Sequence, residues 1–364
     1  MTMFKGAPLA QLGTSTSGSE ARILELEIAE VTYETEDAIS LGFVVAERRD
    51  EYLHYEPGQF LTLEIPYADS DSIARCYSFS SSPARGPLPT VTIKRIQDGV
   101  ASHWLHENAV RGMRLKALKP SGMFGPENWD VDFVLAAAGS GITPMMSILE
   151  TALFQHANRI TLVYANQNRN SVIFADRLTE LQSRFPDRLD IHHWYASDSG
   201  LPTAAGLASL DTRIPTEYEA LLCGPPQYMN VAEEWLTRTG TTARRTHREV
   251  FSSFDSNPFR NNDSPLTHEP DSDSVTAEVE IDGISTEFAW NTGTKLLDRL
   301  LELGLDPPYV CREGTCGGCA YTLTAGTVTM LANETLDDHE LHQGVRLACQ
   351  SVPAAEPIRA VLDR

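Results

Sequence analysis

Cys311-Arg312-Glu313-Gly314-Thr315-Cys316-Gly317-Gly318-Cys319, answered by Cys349 in Leu347-Ala348-Cys349-Gln350, is the stretch from which the rest of the chain is read. The order is C-x4-C-x2-C with a distant fourth cysteine, the spacing of [2Fe–2S] ligation. A short loop must wrap the cluster and present three thiolates from one side. Gly314, Gly317 and Gly318 let the backbone approach and aim its N–H groups at the sulfides. The fourth ligand ties the loop to the domain body. A structural zinc site usually shows two C-x2–4-C pairs, unlike this pattern. A disulfide set needs an oxidising compartment, for which nothing else in the chain argues. Cys311, Cys316, Cys319 and Cys349 are the predicted metal ligands, and the remaining chain must explain how electrons reach them.

The chain has 364 residues, 41% hydrophobic and 22% charged, which suits a globular protein of two or three domains. No apolar run reaches the roughly 18 residues of a membrane span. The segment 1–20 is rich in Gly, Ser and Thr and has no continuous apolar stretch, so it reads as a flexible tail, not a secretory signal. A cytoplasmic protein is expected. The net charge of −21 argues against nucleic acid as a partner and suits a basic patch on a protein partner or plain solubility.

From Arg22 to about Lys119 short strands recur. Leu24, Leu26 and Ile28 alternate with Glu25 and Glu27, and further runs follow at Ala38–Ala46, Phe60–Ile65, Arg75–Ser80 and Val91–Ile96. This predicts an antiparallel β-barrel over 21–126, broken by one short helix near Val100–Glu107. Two motifs lie in it. Arg75-Cys76-Tyr77-Ser78 supplies a guanidinium, an aromatic ring and a hydroxyl, the groups a flavin nucleotide needs. Gly99-Val100-Ala101-Ser102 opens the helix and offers N–H groups to an anion.

At Val131 the texture changes. Phe133-Val134-Leu135-Ala136-Ala137-Ala138 is a continuous apolar run, as a strand buried on both faces requires. It ends in Gly139-Ser140-Gly141-Ile142-Thr143-Pro144, a glycine-rich turn before a helix and so a dinucleotide site. Pro144 suits the first helical turn. Strand–helix alternation continues to Cys223-Gly224-Pro225-Pro226, which predicts a parallel α/β domain over 127–251 whose last strand ends at Cys223. After Glu249-Val250-Phe251 periodicity is lost, and 252–273, rich in Asn, Asp, Ser and Pro, reads as a linker. Strands, a helix at Lys295–Leu303, the cysteine loop and closing strands then fill 274–364 as an α+β unit.

R-x-Y-S, G-x-x-S, G-x-G-x-T-P, C-G-P and E-V-F, in this order, resemble the ferredoxin–NADP⁺ reductase superfamily. The C-terminal unit resembles plant-type ferredoxin, a β-grasp fold. The order flavin, nicotinamide, [2Fe–2S] is similar to the reductase components of phenylacetyl-CoA epoxidase and 3-ketosteroid 9α-hydroxylase. Glu249-Val250-Phe251-Ser252-Ser253-Phe254 is most similar to the latter kind.

The resemblance implies FAD, NADH or NADPH, and a [2Fe–2S] cluster as cofactors. It implies that Arg75, Tyr77, Ser78, Ile93, Lys94, Gly99, Val100 and Ser102 hold FAD. Thr143 faces both nucleotides, while Gly139, Ser140, Gly141, Asn166, Arg169, Gly224 and Pro225 serve the nicotinamide nucleotide. Phe251 packs on the flavin. Ser78, Cys223 and Glu249 are the catalytic-site candidates, orienting the rings and polarising the site. Cys76 reads as a small buried apolar residue. His192, His193, His339 and His342 lack the partners that metal ligation needs.

A hydride donor gives two electrons and a cluster takes one at a time, so the flavin stands between them. The implied partner is a terminal oxygenase or desaturase component. Two rivals are an iron–sulfur sensor without turnover, against which the two-nucleotide half argues, and a reductase of a small diffusible acceptor, against which the fused ferredoxin unit argues. The choice between NADH and NADPH stays open. Asn166–Ser171 has no acid for a ribose hydroxyl, while Arg169 and Ser171 can meet a 2′-phosphate or, for Arg169, the adenine. No second basic residue stands near Arg169 in this segment, which favours NADH at least as well as NADPH.

Overall fold

The computed structural model describes residues 23–46, 53–67, 71–86, 88–210, 212–251, 253–254, 257–260, 274–354 and 357–362. The predicted N-terminal tail and most of the predicted linker lie outside these. The first unit contains β1 (Ile23–Thr35), β2 (Ala38–Val45), β3 (Phe60–Tyr67), β4 (Asp71–Ser78), β5 (Thr90–Lys94), helix α1 (Val100–Asn108) and β6 (Arg114–Leu118). The strands form one antiparallel sheet in the order β4-β3-β6-β1-β2-β5. A bridge between Phe79 and Val91 brings the chain leaving β4 against β5, so the two ends of the sheet meet. The alternation read from β1 sends Leu26 and Ile28 inward, where they pack with Leu41, Phe43, Leu61 and Leu63.

The second unit is a parallel sheet in the order β11-β10-β7-β8-β9. Its elements are β7 (Asp132–Ala138), α2 (Ile142–Gln155), β8 (Ile160–Asn166), α3 (Ala175–Arg184), β9 (Leu189–Tyr195), two short helices α4 (Ala196–Ser199) and α5 (Ala204–Ala208), β10 (Glu217–Cys223), α6 (Pro226–Arg238) and β11 (Thr242–Glu249). The unbroken apolar run of β7 is explained by its two faces. Phe133, Leu135 and Ala137 pack under α2 and α3, while Val134 and Ala136 pack under α5 and α6.

The expectation that the last strand ends at Cys223 is corrected: β11 pairs parallel with β10, and Cys223 faces Glu249 in register. Thr242-Ala243-Arg244-Arg245-Thr246-His247-Arg248-Glu249 carries no apolar run because it is an edge strand, and its polarity hid it.

The third unit has β12 (Val275–Ile281), β13 (Ile284–Trp290), α7 (Leu296–Glu302), β14 (Ala320–Ala325), β15 (Val328–Met330), α8 (Asp338–His342), β16 (Val345–Leu347), β17 (Ser351–Pro353) and β18 (Ile358–Leu362). The order β13-β12-β18-β14-β16, with β12 and β18 parallel, is packed by Leu296, Leu297 and Leu300 of α7 around Trp290. Antiparallel, parallel and mixed sheets thus follow one another, as the sequence predicts.

The units are tied by buried polar groups. Inside the second unit, Glu219 of β10 accepts from the Glu127 and Asn128 N–H groups at 2.9 and 3.0 Å and pairs with His247 at 2.8 Å. Glu150 of α2 takes the Arg177 guanidinium through Nε at 2.7 Å and lies 3.7 Å from Arg85 of the first unit. Ser82 and Thr151 hydroxyls meet at 2.7 Å. Burying such groups is tolerated because each is partnered. Gly58 marks the tightest crossing, since its φ is +95° and a Cβ there would lie 1.9 Å from the Phe124 carbonyl oxygen. Gly58→Ala is expected to lower unfolding stability by about 2 kcal/mol or more. A denaturation midpoint equal to wild type would contradict that crossing.

Candidate functional site

The cysteine loop runs from Val310 to Ala320. Arg312 adopts φ +61°, and the N–H groups of Glu313 and Gly318 donate to Cys311 and Cys316 sulfur, each at 3.4 Å. Cys349 N–H donates to Cys319 sulfur at 3.4 Å, which joins the distant cysteine to the loop. Among the described residues, no three His, Cys, Asp or Glu side chains are arranged for one metal ion. The four thiols instead form one connected group, Cys316 with Cys311, Cys311 with Cys349 and Cys349 with Cys319. Hydrogen bonding from Cys316 holds the Cys311 thiol well below its usual range, and that from Cys349 lowers Cys319. Four gathered thiols with N–H donors on sulfur fit a two-iron group.

This loop sits on the first unit. Val310 and Cys311 share one buried cluster with Phe60, Ala74, Leu118 and Phe254, and Cys76, Phe259 and Cys316 pack at its rim. Part of the predicted linker is therefore structural. Phe254 and Phe259 plug this contact, and the Asn257 amide donates to Ser72 O at 2.8 Å.

Beside the contact lies a cavity of about 300 Å³ to which all three units contribute. Phe60, Cys76 and Ser78 come from the antiparallel sheet, Glu249 and Phe251 from the end of β11, and Thr315 and Cys316 from the cysteine loop. The Thr315 hydroxyl is buried without a hydrogen-bond partner, and Phe251 is 50% exposed. Phe60, Phe124, Phe251 and Phe254 give the cavity aromatic walls, and many polar and charged side chains line the rest, a mixture that suits a flat heteroaromatic ring with polar edges. Cys76, expected as a plain apolar filler, lines the cavity, with Thr62 Oγ1 at 3.3 Å.

Glu249 reaches this cavity but is otherwise walled in, and burial pushes its carboxyl up to about 8. Burial likewise pushes the neighbouring Cys223 thiol well up, with the Glu249 charge adding to it. The resemblance put Cys223 and Glu249 in one polar cluster, and the β10–β11 pairing sets them side by side. Sequence reasoning missed Phe60, Phe254 and Thr315, for which only their proximity in the folded chain gives a signal.

The predicted nucleotide residues fall on two turns. Tyr77 and Ser78 end β4, and Arg75 Nη1 donates to the Ala74 carbonyl at 2.7 Å. Ile93 and Lys94 end β5; Ile93 is fully buried and Lys94 lies 3.5 Å from Asp37. Gly99 caps α1 and Val100 is exposed, whereas the Ser102 hydroxyl is taken by the Gly99 carbonyl at 2.9 Å, leaving backbone N–H groups as the anion donors there.

Gly139–Gly141 forms a 3₁₀ turn before α2, and Thr143 donates to Ser140 O at 3.0 Å. A Cβ on Gly141 would lie 2.1 Å from the Cys223 carbonyl oxygen, so only glycine lets this turn close on Cys223 and Gly224. Both amide atoms of Asn166, buried at the end of β8, lack a hydrogen-bond partner in the protein. That unmet demand and the cleft at the C-terminal strand ends fit a dinucleotide. Arg169 is already engaged, 2.8 Å from Asp198 and stacked 4.5 Å over the Tyr195 ring. Hydrogen bonds from Ser197 and Arg169 hold Asp198 below the usual carboxylate range, so it is charged at neutral pH.

Known proteins share this arrangement. Family profiles match an oxidoreductase FAD-binding domain at 25–125, an oxidoreductase NAD-binding domain at 135–234 and a 2Fe-2S iron-sulfur cluster binding domain at 279–354. The 3-ketosteroid-9-alpha-monooxygenase ferredoxin reductase component of Mycolicibacterium smegmatis is 46% identical over 94% of this chain and 98% of its own length. A component of the 1,2-phenylacetyl-CoA epoxidase of Escherichia coli is 31% identical over 93% of this chain and 97% of its own. The solved structure of phthalate dioxygenase reductase superposes with a TM-score of 0.55 at 21% identity, covering 96% of this chain and all of that one, and shares the fold. Among the described residues, no helix is long and apolar enough to cross a membrane. The chain belongs to the family of oxygenase reductase components that pass electrons from NAD(P)H through FAD to a [2Fe–2S] cluster.

Proposed function

We propose that this protein is the NADH-dependent reductase component of a ketosteroid-type monooxygenase, working in the cytoplasm, where NADH is available and the four cysteines stay reduced. The single observation that carries the site assignment is the cavity whose wall joins Ser78, Glu249 and Cys316. The flavin, when bound, supplies the conversion of a hydride into single electrons. Ser78 and Tyr77 orient the ring, Arg75 meets the pyrophosphate, and the backbone at Ile93, Lys94, Gly99, Val100 and Ser102 follows the rest of the nucleotide. Cys223 and Glu249 position the nicotinamide, with Gly139, Ser140, Gly141, Thr143, Asn166, Gly224 and Pro225 along its dinucleotide. Phe251 shields the ring from water. Cys311, Cys316, Cys319 and Cys349 hold the iron. The ketosteroid assignment is supported by the relative that is 46% identical.

The experiment is reconstitution: the purified protein, NADH and the oxygenase component of a 3-ketosteroid 9α-monooxygenase should hydroxylate a 3-ketosteroid. The protein should carry about one FAD and two irons per chain. Cys316→Ser should abolish acid-labile sulfide and oxygenase-coupled turnover. Zinc without sulfide in the wild type would sink the cluster assignment.

Preference for NADH rests on Asp198. Its carboxylate neutralises Arg169 and would repel a 2′-phosphate. Asp198→Ala should raise the NADPH-to-NADH ratio of kcat/KM by about fivefold or more. Arg169→Ala should change both cofactors slightly and alike. A wild-type preference for NADPH above about tenfold would refute the assignment.

Glu249 gives a pH test. Its folded-state value, about 8, stands above the ordinary 4.5, so the folded protein favours the proton. The stabilisation is full below the ordinary value and is lost as pH rises through about 8. Between pH 5 and 9 the stability of wild type relative to Glu249→Gln should fall by about 1 kcal/mol or more. A flat difference would mean that Glu249 is solvated and ionised throughout.

A further inference from the structure

Arg245 stands where the parallel sheet meets the third unit and shares the wall of the cavity. Only 8% of its side chain is exposed. It precedes Glu249 by four strand residues, about 13 Å along β11. Its guanidinium reaches three carboxylates. Glu127 belongs to the connection between β6 and β7 and pairs with Nη1. Asp337 and Glu340 belong to the start of α8 and lie 3.1 and 3.5 Å from Nη2.

Those two acids are fixed by their own helix. Asp337 Oδ1 accepts from the Glu340 N–H and Glu340 Oε2 from the Asp337 N–H, each at 2.9 Å. The capping box leaves Asp337 Oδ2 and Glu340 Oε1 for Arg245. His339, on the same turn, lies 3.7 Å from Glu127. A five-residue helix has little stability of its own and depends on such docking. Leu336 and Thr315 share the cavity wall with Arg245, so a displaced α8 would open the cavity on its cluster side.

We propose that Arg245 is a positioning residue that clamps the ferredoxin unit to the nicotinamide unit and so holds the cysteine loop against the flavin cavity. This rests on the assignment of that cavity given above. Removal of the guanidinium leaves three carboxylates crowded at one interface with their main counter-charge gone, which pushes the units apart. The contact is electrostatic and partly exposed on the acidic side, so high salt loosens it.

The test compares full-length, FAD- and cluster-loaded wild type with Arg245→Gln and Arg245→Lys. Amide hydrogen exchange over 336–342 should quicken about tenfold or more in Arg245→Gln. Stopped-flow should show cluster reduction slowed about tenfold or more relative to the flavin reduction by NADH that precedes it. Arg245→Lys should recover most of the exchange protection, because it keeps the charge. Unchanged exchange and cluster reduction in a loaded Arg245→Gln protein would overturn the clamp alone, as would equal slowing of both reduction phases. A wild type that binds neither flavin nor iron would overturn the cavity assignment as well. If Arg245→Gln does not accumulate, Glu127→Gln, which removes one partner and leaves the guanidinium, should show the same two effects in weaker form; its full identity with wild type would count against the clamp.

Discussion

The contact on which the molecule depends is the seating of the cysteine loop on the antiparallel sheet. Val310 and Cys311 are buried among Phe60, Ala74, Leu118 and Phe254. Apolar burial is non-directional and strong enough to hold a loop whose own backbone is spent on sulfur ligands. It brings one thiolate loop to the wall of the cavity that Ser78 and Glu249 also line. The cofactors own the chemistry of this family, and the protein supplies their relative placement. Placement here comes from a hydrophobic plug, with Phe254 supplied by the segment that leaves the parallel sheet.

Around that plug, charged groups do the aligning. The side chains of Glu150 and Arg245 are buried, and each is met by a partner from another unit, Arg85 for Glu150 and Asp337 with Glu340 for Arg245. An unpaired buried charge is costly, so each network tolerates one relative position of the units and penalises others. The two kinds of force divide the work. Area holds the units together, and hydrogen-bonded charge selects how they sit.

The same logic shapes the reacting end of the cavity. Parallel pairing sets Cys223 beside Glu249, and the close approach of Gly141 to the Cys223 carbonyl closes the cleft. A carboxyl and a thiol in one poorly solvated recess hold their protons more firmly than in water. Both groups are therefore mostly uncharged at neutral pH.

Much was legible in the chain alone. The cysteine spacing, the apolar run of Phe133–Ala138 and the alternation of Leu24, Leu26 and Ile28 pointed to three units, their order and the [2Fe–2S] cluster, because ligand spacing and hydrophobic period are local properties, while FAD and the nicotinamide nucleotide came from the short motifs and the resemblance they carry. The polar edge strand β11 stayed hidden, since it is recognised by its pairing and not by its composition. The engagement of Arg169 by Asp198, the turn of Cys76 into the cavity, and the clamp of Arg245 on Asp337 and Glu340 also required the tertiary structure. Each joins residues far apart in sequence through side chains that follow no period, so only the folded chain decides which charge meets which.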